Sequence, residues 1–329
     1  MELGGLHHLT AVTTDAGKNV AFYTGVLGMR LVKKTVNQDD VSAYHLFYGD
    51  EVGSPGTEVT FFDWPQLRVA GNHPGAGEVS TTELRVPDRG ALEWWAERLA
   101  GSSVAHDGVR DGAGRAHLDF QDPEGQRLRL SEDRGEGTRG GVPWDASAVP
   151  EEYGIRGLGA VDLTVRDLGP TAWTLTEVLG FRKTDERAED GGRTATFAVG
   201  LGGPGATVRV LERPGAPAAQ LGRGGVHHVA FRTPDDEEHA RWREKIRVMG
   251  LGVTPQIDRF YFRSIYFREP GGVLFELTTT DGGPSWFSRG GDLASLGRRL
   301  VIPPELEPRR AEVEANLRPL PIEQFVGKD

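Results

Sequence analysis

Two pairs of adjacent histidines, near opposite ends of the chain, are the residues best suited to chemistry. Residues 6–10 (LHHLT) and 225–231 (GVHHVAF) each place two imidazoles in a short apolar run with strand-like composition. Because neighbouring side chains of a strand point to opposite faces, each pair predicts one inward imidazole. A buried ring nitrogen needs a partner, and a bound metal can supply it. For either pair alone, a hydrogen-bonded core histidine is the alternative.

One carboxylate has the surroundings expected of a third metal ligand. Glu276 lies in an apolar run, residues 272–277 (GVLFEL), where burial without a cation is costly. The chain has no cysteine, so a metal would be held by His, Asp, Glu or water. Two imidazoles and one carboxylate on one face of a metal leave about three open positions, the arrangement associated with non-haem Fe(II) and oxygen chemistry.

Four copies of one pattern position these residues. In each copy a short strand is followed by an Asp that can cap a helix, a helix that ends at a Gly, and further strands. The predicted capping residues and terminators are Asp15 and Gly28, Asp88 and Gly101, Asp167 and Gly180, and Asp235 and Gly250. The pattern predicts four βαβββ modules.

The modules form two sequence halves. Residues 1–133 hold modules 5–65 and 77–133, and residues 154–281 hold modules 154–213 and 224–281. Residues 134–153, rich in Gly, Pro and charge, are predicted to be a linker. Residues 282–329 form a tail that wraps the body or covers an opening, with one helix predicted over residues 305–317.

Aligning the copies leaves one complete set of candidate ligands. Modules one and three are related, as are modules two and four, which indicates a duplicated half. In this alignment His8 corresponds to Ala160, His228 to Thr81 and Glu276 to Arg129. Modules one and four must therefore meet to assemble a site, and modules two and three are left as a pair without a metal. The pairing can occur within one chain or between the subunits of a homo-oligomer.

Five motifs together resemble a known family. They are residues 6–10 (LHHLT), 44–57 (YHLFYGDEVGSPGT), 92–95 (LEWW), 227–228 (HH) and 270–276 (PGGVLFE). They resemble the vicinal oxygen chelate superfamily and, within it, the ring-cleaving dioxygenases that act on hydroquinones. The resemblance spans residues 5 to 281. It implies an α+β fold, with four βαβββ modules forming two cup-like curved sheets, as in the glyoxalase/bleomycin-resistance/extradiol dioxygenase fold.

The resemblance also implies a site. Its metal ligands would be His8, His228 and Glu276, and its metal Fe(II), with Mn, Zn or Ni as alternatives. The family has catalytic residues at Tyr266, His227 and Arg259, and residues beside the ligands at His7 and Thr10. The implied reaction starts when a hydroxyl of a small aromatic substrate loses its proton and binds the metal beside O2, and it ends in an open-chain product.

Each of these roles has an alternative. Tyr266 can be a β-former with its hydroxyl in solvent, Arg259 can pair with Asp258, and the first histidine of each pair can bond to backbone. Matching Gly56 to Gly272 sets Thr60 opposite Glu276 and leaves the fourth ligand position empty. A register slip of two would instead bring in Glu58 and predict a glyoxalase-type metal isomerase or lyase. A ligand-sequestering binding protein is a third possibility.

Composition excludes some functions. The net charge of −10 argues against nucleic acid as a partner, and no apolar run approaches the length needed to cross a bilayer. The first residues show no basic segment followed by an apolar one, so a cytoplasmic location is expected. The remaining histidines have no mutual spacing that suggests a site and are interpreted as surface or packing residues: His45, His73, His106, His117 and His239.

Overall fold

Each predicted module forms a βαβββ unit in the computed structural model. The structure describes residues 1–67, 70–112, 114–189, 191–280, 293–320, 322 and 325. In chain order its strands are β1 (Leu6–Thr13), β2 (Arg30–Asn37), β3 (Asp40–Gly49), β4 (Glu58–Asp63), β5 (Glu78–Val86), β6 (Arg110–Gly112), β7 (Arg115–Gln121), β8 (Arg127–Glu132), β9 (Leu158–Val165), β10 (Arg182–Glu189), β11 (Gly192–Ala198), β12 (Thr207–Glu212), β13 (Val226–Thr233), β14 (Ile257–Asp258), β15 (Arg263–Arg268) and β16 (Leu274–Thr279).

The helices are short. The α-helices are α1 (Ala16–Val20), α2 (Arg89–Gly101), α3 (Leu168–Trp173), α4 (Asp236–Val248) and α5 (Arg310–Asn316). Single 3₁₀ segments cover Pro65–Leu67, Glu151–Tyr153, Leu293–Ser295 and Pro304–Arg309. Within the described ranges, none of these helices is long and apolar enough to span a membrane.

The strands form two sheets of eight, and each sheet takes two modules. The first has the order β14-β15-β16-β13-β1-β4-β3-β2, and the second has the order β10-β11-β12-β9-β5-β8-β7-β6. At the centre of the first sheet β1 pairs antiparallel with β13, and at the centre of the second β5 pairs with β9. The predicted fold class and the pairing of module one with module four are therefore confirmed, and the pairing occurs within one chain.

The predicted helix caps are present. The side chains of Asp15, Asp88, Asp167 and Asp235 each accept a hydrogen bond from a backbone N–H two or three residues ahead. In module two, α2 ends at Gly101 as predicted, but the residue with positive φ is Ser103, at 59°.

Two of the predicted helices change pitch halfway. α1 and α3 pass into π-helical turns at Ala21–Val26 and Thr174–Val178. In both, a threonine hydroxyl donates to a carbonyl four residues back: Thr24 to Val20 at 2.6 Å and Thr174 to Pro170 at 3.0 Å. These hydroxyls compete with the backbone N–H for the same carbonyl, which favours the wider turn.

Along the strands, alternate side chains face the hydrophobic core and a cavity on the other side of the sheet. On β3, Tyr44, Leu46 and Tyr48 belong to the main hydrophobic core, whereas His45 and Phe47 face a cavity in the first sheet. This is the two-residue period expected of a strand with different surroundings on its two faces. The core holds the packed helix side chains, including Trp95 of α2 and Trp242 of α4, which are at most 1% exposed.

Hydrogen bonds attach residues 134–153 and the C-terminal tail to the sheets. Arg85 of β5 donates hydrogen bonds of 2.7 Å to the carbonyls of Thr138 and Arg139. In the tail, the Tyr44 hydroxyl of β3 donates to the Arg318 carbonyl at 2.8 Å. The prediction of a single helix over residues 305–317 was wrong. A 3₁₀ segment containing Pro308 precedes α5, because proline cannot donate a helical hydrogen bond. Residue 281, the last of the predicted fourth module, and residues 282–292 of the predicted tail lie outside the described residues.

Candidate metal centre

A β-bulge at each histidine pair turns both imidazoles of the pair toward one region. Between β1 and β13, Leu6 pairs with Phe231 and His8 with Ala230, so His7 is an extra residue on β1. Thr10 pairs with His228 and Ala11 with Val226, so His227 is an extra residue on β13. The expectation of one inward and one outward imidazole was therefore wrong, because a bulge breaks the two-residue alternation and re-aims a side chain.

His8, His228 and Glu276 meet at one point. Glu276 Oε2 lies 3.2 Å from His8 Nε2 and 2.8 Å from His228 Nε2, and the two nitrogens are 3.4 Å apart. All three side chains are buried. For metal–ligand bonds of about 2.1 Å, neighbouring ligands of an octahedral ion lie about 3 Å apart. The triangle therefore has the size that one metal ion requires.

The glutamate has one satisfied oxygen and one aimed at the histidines. Glu276 Oε1 accepts hydrogen bonds from the hydroxyls of Ser264 and Thr278, the latter at 2.8 Å. Glu276 Oε2 is buried and faces the Nε2 atoms of His8 and His228. When neither Nε2 carries a hydrogen, this oxygen has no donor, and a buried carboxylate oxygen without one is costly unless a cation satisfies it. The position of this oxygen is the feature of the structure that fits a bound metal best.

The protonation of the group also suits a metal. Burial by itself raises the pKa of Glu276, but His8 and His228 outweigh it and hold that pKa well below its usual value. Burial lowers the pKa of His228, although the neighbouring Glu276 opposes the shift. The glutamate is therefore a carboxylate and His228 is neutral at neutral pH, which are the forms that bind a cation.

The outer nitrogens of the two histidines are held in the same way. His8 Nδ1 lies 3.0 Å from His7 Nδ1, and His228 Nδ1 lies 2.7 Å from His227 Nδ1. If Nε2 of His8 and of His228 faces the metal, each Nδ1 carries the hydrogen and donates to the preceding histidine. Such a contact fixes the tautomer and the ring orientation of a ligand.

Glu58 lies near the site but contacts a different histidine. Its Oε2 is 3.4 Å from His7 Nδ1, and both of its oxygens are buried without a hydrogen bond. Burial raises the pKa of Glu58 well above its usual value. His7, His8 and Glu58 form a second group that could hold a metal. The strand register agrees with the prediction that Thr60 is the counterpart of Glu276. Thr60 pairs with Thr10, two residues after His8 on β1, and Glu276 pairs with Ala230, two residues after His228 on β13.

Tyr266 and Arg259 lie beside the triangle. Tyr266 pairs with Glu276 across β15 and β16, and its ring centroid is 5.7 Å from that of His228. The Arg259 guanidinium lies 5.4 Å from the Tyr266 ring centroid. Burial, followed by the charge of Glu276, raises the pKa of Tyr266, so its hydroxyl keeps its proton. The alternative pairing of Arg259 with Asp258 was wrong, because Arg259 forms an ion pair of 3.0 Å with Asp39 at the tip of the β2–β3 hairpin.

An aromatic cavity of about 50 Å³ opens onto these residues. His8, His228, Arg259 and Tyr266 line it together with aromatic side chains and the β2–β3 hairpin. The cavity also contains His45, which the sequence had assigned to the surface or to packing. The signal that could have found it is the alternation of His45 and Phe47 with the core residues of β3.

The second sheet has ion pairs where the first has its triangle. Arg129, the counterpart of Glu276, bonds Asp119 at 2.6 Å. Arg209 of β12 pairs with Asp162 of β9, as Thr60 of β4 pairs with Thr10 of β1. The Arg209 guanidinium donates hydrogen bonds to Asp162 at 2.6 Å and to Glu83 at 2.5 Å. In the described part of the chain, the groups of His and acidic side chains able to hold a metal both belong to the first sheet.

The chain is similar to known proteins over nearly its whole length. The family model described as "Glyoxalase/Bleomycin resistance protein/Dioxygenase superfamily" matches residues 5–130 and 157–277. A Bacillus subtilis protein described as ring-cleaving dioxygenase MhqA is 47% identical over 97% of this chain and 100% of its own. The chlorohydroquinone/hydroquinone 1,2-dioxygenase of Sphingobium indicum is 36% identical over 92% of each chain. The crystal structure of a Bacillus subtilis protein described as a dioxygenase is 34% identical, with a TM-score of 0.88 over 100% of this chain and 99% of that one.

Proposed function

This chain belongs to the glyoxalase/bleomycin resistance protein/dioxygenase superfamily and is a ring-cleaving dioxygenase, and we propose that it opens a hydroquinone or catechol ring with Fe(II) held by His8, His228 and Glu276. The observation that carries the proposal is the triangle of their ligand atoms, 2.8 to 3.4 Å on a side, with a buried glutamate oxygen that faces both histidine nitrogens. O2 is the second substrate.

Fe(II), when bound, supplies a Lewis acid for a phenol hydroxyl and a redox centre on which O2 and substrate meet. The protein supplies the rest of the site. Phe47, Phe62 and Phe262 line the cavity and offer apolar faces to an aromatic ring while they exclude water. Three protein ligands leave other coordination positions for both reactants.

Two residues beside the triangle are assigned to proton and charge control. Tyr266 keeps its hydroxyl hydrogen and can donate it to a substrate oxygen. Arg259 places a fixed positive charge at the same wall of the cavity and steadies the Tyr266 ring. His227, which contacts His228 through Nδ1, orients that ligand and is a further candidate for proton transfer.

Oxygen uptake tests the proposal. Protein loaded anaerobically with Fe(II) is mixed with air-saturated buffer and a panel of hydroquinones and catechols in an oxygen electrode. The expected result is uptake in proportion to substrate, with loss of the aromatic absorbance. His8→Ala, His228→Ala and Glu276→Ala should each abolish uptake, whereas His73→Ala, on an exposed residue, should not.

The same protein separates the glyoxalase-type alternative. That activity uses Zn, Ni or Mn and a thiol adduct of an α-ketoaldehyde, and it consumes no oxygen. Isomerisation of such an adduct, with no oxygen uptake from any phenol, would replace the dioxygenase with the isomerase. Binding of phenols without either reaction would favour a sequestering protein.

A further inference from the structure

One imidazole in the cavity has no part in the metal centre described above. His45 lies on β3, and its ring centroid is 4.1 Å from that of Phe47 and 4.5 Å from that of Phe62. It lines the same cavity as His8 and His228. A polar ring between two aromatic side chains is an unusual choice for packing alone, because a buried polar group must be given hydrogen-bond partners.

The partner of His45 begins a row of polar groups that leads to the candidate ligands. His45 Nε2 lies 3.1 Å from Thr60 Oγ1, which lies 2.8 Å from Thr10 Oγ1. Thr10 Oγ1 in turn lies 2.9 Å from His228 Nε2. The three strands that carry the row are neighbours, with Thr10 opposite Thr60 and His45 opposite Phe62. A row of polar contacts therefore links His45 to the candidate ligand His228.

We propose that His45 is a specificity residue that hydrogen-bonds, through Nδ1, the substrate hydroxyl remote from the metal. This rests on the proposed function, since one hydroxyl of the ring must bind at the triangle. The ring then lies between the aromatic side chains, with its second hydroxyl at His45. The substrate class is a benzene ring with hydroxyls at opposite ends, rather than a catechol, whose neighbouring hydroxyls would both lie at the metal.

The state of the imidazole suits this role. Burial, followed by the nearby His8 and His228, lowers the pKa of His45 well below its usual value, so the ring is neutral. A neutral imidazole has one donor and one acceptor nitrogen. Thr60 is the positioning residue, because its contact with Nε2 fixes the plane of the ring. A site that hydrogen-bonds a hydroxyl discriminates against an analogue that lacks it, since a buried polar group is then left unpaired.

Anaerobic binding of two ligands tests the proposal without turnover. Dissociation constants of hydroquinone and phenol are measured for the Fe(II)-loaded protein by quenching of tryptophan fluorescence. Wild type should bind hydroquinone about tenfold or more tightly than phenol, as expected for one hydrogen bond in a buried site. His45→Phe should reduce this ratio to about one by weakening hydroquinone alone, with phenol affinity and iron content unchanged.

Two further variants keep the test decisive. His45→Gln retains a donor and an acceptor and should restore part of the preference, and it replaces His45→Phe if that variant does not fold. Thr60→Val should give an intermediate ratio and should raise the KM for hydroquinone more than it lowers kcat. A wild-type protein with no preference, or a His45→Phe variant that weakens both ligands equally or neither, overturns the proposal.

The outcome is distinguishable from failure of the proposed function. A preference for hydroquinone that depends on His45, in protein that consumes no oxygen, would support the specificity residue and refute the dioxygenase reaction. Oxygen uptake by the wild type, together with a preference for hydroquinone over phenol that His45→Phe leaves unchanged, would support the dioxygenase reaction and refute the role of His45.

Discussion

His228 Nε2 lies 2.8 Å from Glu276 Oε2, and His8 Nε2 lies 3.2 Å from the same oxygen. One carboxylate oxygen thus joins side chains from modules one and four. The contact joins β1 and β16, which lie on either side of β13 in the first sheet. The loss of this oxygen's charge is the most direct perturbation of the centre.

Glu276→Gln should weaken Fe(II) binding by at least about 100-fold, because an uncharged amide oxygen replaces a carboxylate ligand while shape is kept. Equilibrium dialysis under anaerobic conditions measures the affinity. Glu237→Gln, on a side chain 82% exposed, is the matched control and should bind iron as wild type does. Equal affinity in the two variants would remove Glu276 from the ligand set.

His7→Phe should weaken the metal about 10-fold to 100-fold, because His8 Nδ1 loses the acceptor that fixes its tautomer, 3.0 Å away. His7→Gln, which offers an amide oxygen at a similar place, should recover most of the affinity. The same dialysis assay applies. If His7→Phe binds iron normally, the contact between the two rings does not position His8.

Glu58→Gln separates three protein ligands from four. Burial raises the pKa of the Glu58 carboxyl and so favours its uncharged form, and an amide of the same shape should change iron affinity by less than about threefold and the free energy of unfolding by less than about 1 kcal/mol. A loss of iron comparable to that of Glu276→Gln would instead identify Glu58 as a fourth ligand and favour the glyoxalase-type site.

Arg209→Met should destabilise the protein by about 3 to 5 kcal/mol, because it leaves the buried carboxylates of Glu83 and Asp162 without their shared cation. Chemical unfolding measures the change. Arg247→Met breaks an exposed pair with Glu244 and should leave the stability close to that of wild type. Iron affinity should be unchanged in both, because the ion pairs belong to the second sheet. An Arg209→Met protein as stable as wild type would show that the network is dispensable.

Asp122→Asn should change how stability depends on pH. Burial raises the pKa of Asp122 from its usual 3.8 to about 6. Because the folded pKa is above the unfolded one, the contribution of Asp122 is fully present below about pH 4 and is lost as pH rises through about 6. The variant should therefore gain about 3 kcal/mol relative to wild type between about pH 4 and about pH 7.

Unfolding midpoints of the two proteins at both pH values check this. Asp122 Oδ1 accepts the N–H groups of Glu124 and Gln126, and an asparagine oxygen can keep both bonds. Asp107→Asn, on a side chain 70% exposed, is the control and should show no such pH-dependent gain. If the difference in stability between wild type and Asp122→Asn is the same at both pH values, Asp122 does not have the raised pKa expected for the folded state.

The amino-acid sequence determined the modular fold, because its signals are local. The capping residues Asp15, Asp88, Asp167 and Asp235 act on N–H groups two or three residues away, so the helix starts could be predicted from spacing alone. The absence of ligands in modules two and three also left only one way to combine His8, His228 and Glu276. Their assignment as metal ligands remains a proposal, although the structure brings them together.

The tertiary structure decided what depends on contacts between distant strands. Bulges at His7 and His227 arise only when β1 pairs with β13, and they overturned an expectation based on regular alternation. The raised pKa of Glu58 and the place of His45 in the cavity follow from burial by residues far away in the chain. Local sequence sets which face of a strand is apolar, but only packing determines what that face meets.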